Sequence, residues 1–194
     1  MSAIDALRAA PGSETILGIP RSHWEKQLSN YDWSTRPNTA TVVWEFIRKA
    51  QQREAPHLLL CGNVGTGKTH IGVGLFRWAA MLEGTMRSAF INMPEFYKLV
   101  KSNYGTGHDP IDDIRSADFL VVMDDPFAGN KLHPGDFDIL FSCIDIVYQN
   151  RAAMVWTMND DLEYLRSTLQ DHEYDRVMAN SQVCEFTGPS WRIT

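Results

Sequence analysis

The sequence predicts one α/β domain, a parallel sheet of five strands with helices on both faces. Three observations carry that expectation. Short, almost unbroken apolar runs such as 57–61 (HLLLC) and 119–123 (FLVVM) read as strands buried on both sides. Between them lie segments with the helical apolar period, clearest over 134–148, and strands that alternate with helices through short loops build a parallel sheet. The 194 residues are 44% hydrophobic and 22% charged, proportions that suit a single domain with a full core.

Residues 1–36 read as an N-terminal tail and packing segment, and 37–194 as the domain proper. The first part offers one short helical pattern (Ile4, Leu7) ended by Pro11-Gly12, too little to fold alone, hence a tail or docking peptide. Trp24, Leu28, Tyr31 and Trp33 follow; such aromatics either pack on the core or frame a nucleotide base. Residues 38–53 form a helix by pattern, capped by Asn38 or Thr39, with Val42, Val43, Phe46 and Ile47 on one side. Strand 57–61 comes next, then a helix over 68–83 that is apolar nearly all round, as a helix held between a sheet and other elements must be. Arg87–Ile91 is the second strand. Pro94 suits a first helical turn, and 94–104 gives a helix with Phe96, Leu99 and Val100 inward and Lys98, Lys101 and Tyr104 on the other side. The third strand, 119–123, ends in Asp124-Asp125; the fourth, Ala153–Thr157, ends in Met158-Asn159-Asp160. Two polar helices, about 161–169 and 172–180, precede a last strand at 182–186.

Chemistry concentrates after the first of these strands. Gly62-Asn63-Val64-Gly65-Thr66-Gly67-Lys68-Thr69, followed by His70, fits the phosphate-binding pattern G-x-x-x-x-G-K-[ST] without a mismatch, between a strand and a helix as that pattern requires. Several N–H donors must converge on one anion, and glycines permit the backbone to bend that far. Lys68 then reaches the β- and γ-phosphates of ATP, the Thr69 hydroxyl holds Mg²⁺, and the helix adds its positive end. Asp124-Asp125, closing an apolar strand, supplies a carboxylate for Mg²⁺ (Asp124) and a second (Asp125) to polarise an attacking water. Asn159 closes the next strand, where an amide can orient that water or sense the γ-phosphate. Arg176 and Arg192 are each able to bring positive charge to a phosphate, in cis or from another copy.

Composition excludes several classes. The net charge of −6 argues against a generally sticky nucleic-acid binder, so any DNA contact must be local. Cys61, Cys143 and Cys184 are far apart in apolar segments, without zinc spacing, and read as reduced core residues. Trp33, Trp44, Trp78 and Trp156 sit among apolar neighbours, where core packing is the default. No apolar run reaches the length of a membrane span, and the start, MSAIDALRAA, is too short and charged for a signal peptide; the expectation is a cytoplasmic protein without membrane contact.

The ordered series LGIPRSHWEKQLSNYDW, GNVGTGKTH, MPEFYKLVKSNYG, SADFLVVMDDP, VWTMND, YDRVMANS and FTGPSWR resembles the AAA+ ATPases of the DnaC/IstB-like group, from about residue 16 onward. That group comprises replicative-helicase loaders and transposition helper ATPases. The resemblance implies a P-loop NTPase of AAA+ type that hydrolyses ATP, self-associates into a ring or spiral and acts in DNA replication. Nucleotide is held by Lys68, Thr69, Asp124, Asp125 and Asn159 of one copy, with Arg176 as the finger from the next and Arg192 as a second sensing arginine. Lys101 and Tyr104, with Lys98 beside them, match positions that contact single-stranded DNA, where an ammonium pairs with phosphate and a phenol ring stacks on a base. A replicative helicase is the implied partner. Departures from the group are the brief stretch before the matching region, where loaders carry a helicase-gripping domain, Asn180 in place of a second finger-helix arginine, Asp125 in place of Glu, and the expectation of no separate C-terminal lid domain. A transposition helper preferring duplex DNA and a non-hydrolysing, nucleotide-gated adaptor or inhibitor of a helicase are the alternatives.

Overall fold

A computed structural model describes residues 14–17, 19, 21–82, 87–104, 109–128 and 132–191. Six strands, β1 (Glu14–Leu17), β2 (His57–Gly62), β3 (Ser88–Asn92), β4 (Leu120–Asp124), β5 (Ala153–Thr157) and β6 (Ser181–Phe186), form one sheet in the order β1-β3-β4-β5-β2-β6. All neighbours run parallel. The five strands read from the sequence are present; β1 adds an edge strand within the stretch read as a tail, pairing Glu14 with Ser88 and Leu17 with Ile91.

Because successive side chains point to opposite faces, each central strand feeds two cores. Leu59, Cys61, Val121, Met123, Met154 and Trp156 face one side, and Leu58, Leu60, Leu120, Val122, Ala153 and Val155 the other. The second side is covered by α1 (Pro37–Gln51), through Val43, Phe46 and Ile47, and by α2 (Lys68–Ala80), through Ile71, Val73, Leu75 and Phe76. The first is covered by α3 (Met93–Ser102), α4 (Pro110–Arg115) and α5 (Pro134–Asn150), with Leu165 of α6 (Leu162–Thr168) and Val177 of α7 (Asp171–Met178). Burial of α2 on nearly every side explains its lack of a polar stripe.

Local chemistry sets the boundaries. Pro37, Pro94, Pro110 and Pro134 each stand in a first helical turn, where the missing N–H costs nothing. Asn92, Asp109 and Asp161 accept the N-terminal amides of Glu95, Ile111 and Tyr164. Helix α1 begins at Pro37 with Arg36 as the capping position, two or three residues earlier than a cap at Asn38 or Thr39 implies. Trp156 is fully buried, but Trp44 is 54% exposed on α1 and is no core residue; Leu99 is likewise exposed, since the buried stripe of α3 runs through Met93, Phe96, Tyr97 and Val100. All three cysteines are buried and unbridged. Among the described residues no helix is long and apolar enough to cross a membrane.

Candidate nucleotide site

Parallel strands present their carboxyl ends on one edge, and the loops after β2, β3, β4 and β5 meet there around a cleft of about 800 Å³. Its lining combines Val64, Gly65, Gly67, Lys68, Thr69 and His70 with Asn92, Asp124, Asp125, Thr157 and Asn159, closed on one side by Ser22, His23, Lys26 and Trp191. The lysine, threonine, two aspartates and asparagine read from the sequence are thus brought together, although they lie on three different segments.

Two glycines of the loop are required by shape as well as by backbone. Gly65 (φ 74°) and Gly67 (φ 98°) both occupy the left-handed region. A Cβ on Gly65 would run into the Ser190 side chain, and one on Gly67 would lie 2.8 Å from the Tyr31 ring and 3.3 Å from Trp191. The Lys68 ammonium donates to the Gly62 and Asn63 carbonyls at 2.7 and 2.6 Å, folded over the loop that carries it. The Thr66 hydroxyl turns back onto the Asn63 carbonyl at 2.7 Å, and the Asn63 amide donates to Gly188 at 3.0 Å. Gly62, Asn63 and Thr66 therefore shape the loop from behind, whereas Val64, Gly65, Gly67, Lys68 and Thr69 face the cleft. His70 is held by the Gln27 carbonyl (3.0 Å) and Asn30 Oδ1 (2.9 Å), tying the preceding segment to α2.

The acidic side of the cleft is built with equal definition. Asp124 is buried, accepts the Thr157 hydroxyl at 2.6 Å and lies 3.4 Å from the Asn92 amide. Asp125 leaves the strand at φ 56°, an uncommon conformation outside glycine, held by an N–H bond to the Thr157 carbonyl at 2.8 Å. Its two carboxylate oxygens both accept from the Asn159 amide at 3.2 Å. Burial, then the charges of Asp124 and Asp160, push the Asp125 carboxyl up to about 6, against the opposing pull of Lys68. A carboxylate so tuned is a stronger base than an ordinary aspartate and still largely ionised at neutral pH.

The cradle of loop amides fits a polyphosphate. Thr69 and Asp124 are hard oxygen donors suited to Mg²⁺, which binds through one or two carboxylates plus substrate phosphates rather than through an all-protein cage. Among the described residues no group of three or more His, Cys, Asp or Glu is placed to hold a metal.

Several contributors carried no sequence signal. Thr157 bridges both aspartates, and Asn92 caps α3 with its carbonyl oxygen while its amide reaches Asp124. The Tyr97 hydroxyl donates to the Pro126 carbonyl at 2.9 Å, a second link from α3 to this corner. The stretch after β6 lies across the phosphate loop, with Trp191 N–H on the Gly65 carbonyl (2.9 Å) and Arg36 donating to Thr187 (3.0 Å). Of the aromatics read as either packing on the core or framing a base, Tyr31 packs against the loop at Gly67 and Trp33 packs on Tyr31, while Ser22, His23 and Lys26 line the cleft.

The remaining predicted residues lie elsewhere. Arg176, on α7, pairs with Asp145 of α5 and covers the Tyr148 ring at 5.4 Å. The carbonyl of the next residue, Val177, is bonded to His57 Nδ1 at 2.9 Å, at the start of β2. The length of that strand, roughly 17 Å at about 3.3 Å per residue, separates this anchor from Gly62. Arg192 lies outside the described residues. Lys98 and Tyr104 are exposed, Tyr104 at 74%, while the Lys101 ammonium is 2.6 Å from the buried Asp136 carboxylate of α5.

A model of the family described as IstB-like ATP binding protein matches residues 6–194. No curated protein sequence matches the chain. Among solved structures, the DnaC helicase loader aligns with a TM-score of 0.73 at 18% identity, over 87% of this chain and 100% of that one. DnaI aligns at 0.71 and 18%, over 91% and 96%. AMPPCP-bound DnaA from Aquifex aeolicus gives 0.67 and 18%, over 83% of this chain and 50% of that one. At such identities the likeness to these structures is one of fold, an AAA+ type P-loop domain. The family match spans nearly the whole sequence, and the chain belongs to the IstB-like ATP-binding proteins.

Proposed function

We propose that the protein is an ATPase of helicase-loader type acting in DNA replication, with ATP and Mg²⁺ bound between copies. The observation that carries this reading is the convergence of Lys68, Thr69, Asp124, Asp125 and Asn159 on one cleft, while Arg176 is held at the far end of β2. Bound Mg²⁺ supplies neutralisation of phosphate charge. The loop amides and Lys68 hold the phosphates, and Thr69 and Asp124 hold the cation. Asn159 orients a water, and Asp125 takes its proton as the oxygen attacks the γ-phosphorus and the bond to the β–γ bridging oxygen breaks, releasing ADP and phosphate. The positive charge that such a transition state calls for is then donated by Arg176 of a neighbouring copy, since its own cleft lies a strand-length away.

DNA contact is proposed at the exposed side of α3 and the turn that follows it, through Lys98 and Tyr104, with Lys101 dividing its charge between Asp136 and phosphate. Asn92 supports a connection between the two sites, because one residue both caps α3 and touches Asp124. The proposed protein partner is a replicative helicase. The solved helicase loaders that share the fold favour this assignment, whereas the family match favours a transposition helper as the second reading.

Phosphate release with Mg²⁺-ATP, measured alone and with single-stranded or duplex DNA, separates the readings. Stimulation by single strands is expected, together with ATP-dependent capture of the helicase. Stimulation by duplex alone would move the protein to the transposition class, and ATP binding without release in any condition would make it an adaptor.

A further inference from the structure

We propose that Asp145 governs assembly of the site by holding Arg176 on its own copy until a neighbour's bound triphosphate displaces it. The inference rests on reading Arg176 as the arginine donated between copies. Arg176 lies back along its own surface, its guanidinium paired with the Asp145 carboxylate and covering Tyr148, both from α5. The helix behind it is fixed: His57 of β2 and the Ser181 hydroxyl both bond the Val177 carbonyl, at 2.9 and 2.6 Å, and the Asn180 amide donates to the Glu54 carbonyl at 2.9 Å. Only the side chain is free to swing, so a phosphate on another copy competes directly with Asp145 for the same charge.

The strengths are graded for a switch. The pair is half-exposed, with side-chain exposures of 31% and 40%, so solvent screens it and it holds weakly. A triphosphate presents several negative oxygens to the planar fork of an arginine and wins the exchange once another copy brings one within reach. A lone copy therefore keeps its arginine parked, and assembly with nucleotide draws it out.

The test is sedimentation of the full chain with Mg²⁺ and a non-hydrolysable ATP analogue, comparing wild type, Asp145→Asn and Arg176→Ala. Releasing the arginine is expected to lower the concentration at half-assembly about two- to five-fold, the range for a half-exposed ion pair, with thermal unfolding showing a folded variant. An unchanged or raised midpoint for Asp145→Asn would overturn the proposal and leave a simple staple between α5 and α7. Arg176→Ala must raise the midpoint; if it assembles as wild type does, the reading of Arg176 as the donated arginine fails, and the latch with it. A second measurement assigns the effect to the donor copy. Lys68→Ala/Asp145→Asn mixed with Arg176→Ala is expected to turn over ATP about two- to five-fold faster than Lys68→Ala mixed with Arg176→Ala at sub-saturating concentration. Equal rates would count against the latch.

Discussion

Replacing Asp125 with Asn isolates the charge that the site keeps at a cost to the fold. Burial, reinforced by Asp124 and Asp160, raises this carboxyl to about 6. A rise of roughly two pH units corresponds to ~3 kcal/mol at about 1.4 kcal/mol per unit, and partial solvent exposure reduces this to about 1–2 kcal/mol. The sign follows from proton counting: the native state holds the proton up to about pH 6, while the unfolded chain releases it near the ordinary aspartate value. Between those limits the unfolded state binds fewer protons, so stability falls as pH rises through the window and the full penalty stands above it. Asparagine carries no charge, tolerates the φ of 56° and still accepts from the Asn159 amide. The nucleotide-free variant should be more stable than wild type at pH 8 by about 1–2 kcal/mol, or roughly 3–6 °C in Tm, and equal to it near pH 4. Thermal unfolding between pH 4 and 8 measures this. A difference that does not vary with pH, or a variant less stable at pH 8, would refute the electrostatic account of Asp125.

Other substitutions probe the remaining contacts. Lys68→Ala should abolish ATP binding by calorimetry in a variant shown to be folded by thermal unfolding; retained affinity would remove the assignment of the phosphate loop. Gly67→Ala forces a side chain into the left-handed region against Tyr31 and Trp191, and should cost at least about 1–2 kcal/mol in urea unfolding; a neutral effect would mean that loop and aromatics do not pack as described. Asn92→Ala removes the α3 cap and should destabilise by about 1 kcal/mol, with weaker Mg²⁺ dependence of ATP binding read by titration. Tyr104→Ala should leave Tm unchanged while weakening single-strand binding, whereas Lys101→Ala strands the Asp136 carboxylate and should lower Tm as well; wild-type single-strand affinity in the double variant would end the DNA role of α3.

What the sequence made legible follows physical range. The phosphate loop and the two-face apolar strands are local in sequence, and the cleft edge follows from parallel topology once β2, β4 and β5 are recognised. The four residues Glu14–Leu17 read as tail because so short a run has no periodicity to display; their strand character comes from pairing with β3, far along the chain. Lys101 read as a free basic residue because its partner, Asp136, belongs to another helix, and the same distance hid Asp145 from Arg176. Asn92 looked like the end of a strand and is also a helix cap and a neighbour of Asp124, a role visible only when β3 and β4 lie side by side. Trp44 sits among apolar neighbours in sequence, yet the turn of α1 carries it outward.

The central claim is that each copy holds half of a catalytic site. It is tested most directly by mixing Lys68→Ala, which keeps the arginine but not the nucleotide, with Arg176→Ala, which keeps the nucleotide but not the arginine, and measuring phosphate release. Neither variant alone should turn over ATP, and the mixture should recover roughly a quarter of the wild-type rate if copies assemble at random in a head-to-tail ring. Wild-type turnover by Arg176→Ala alone, or no recovery on mixing, would contradict the account.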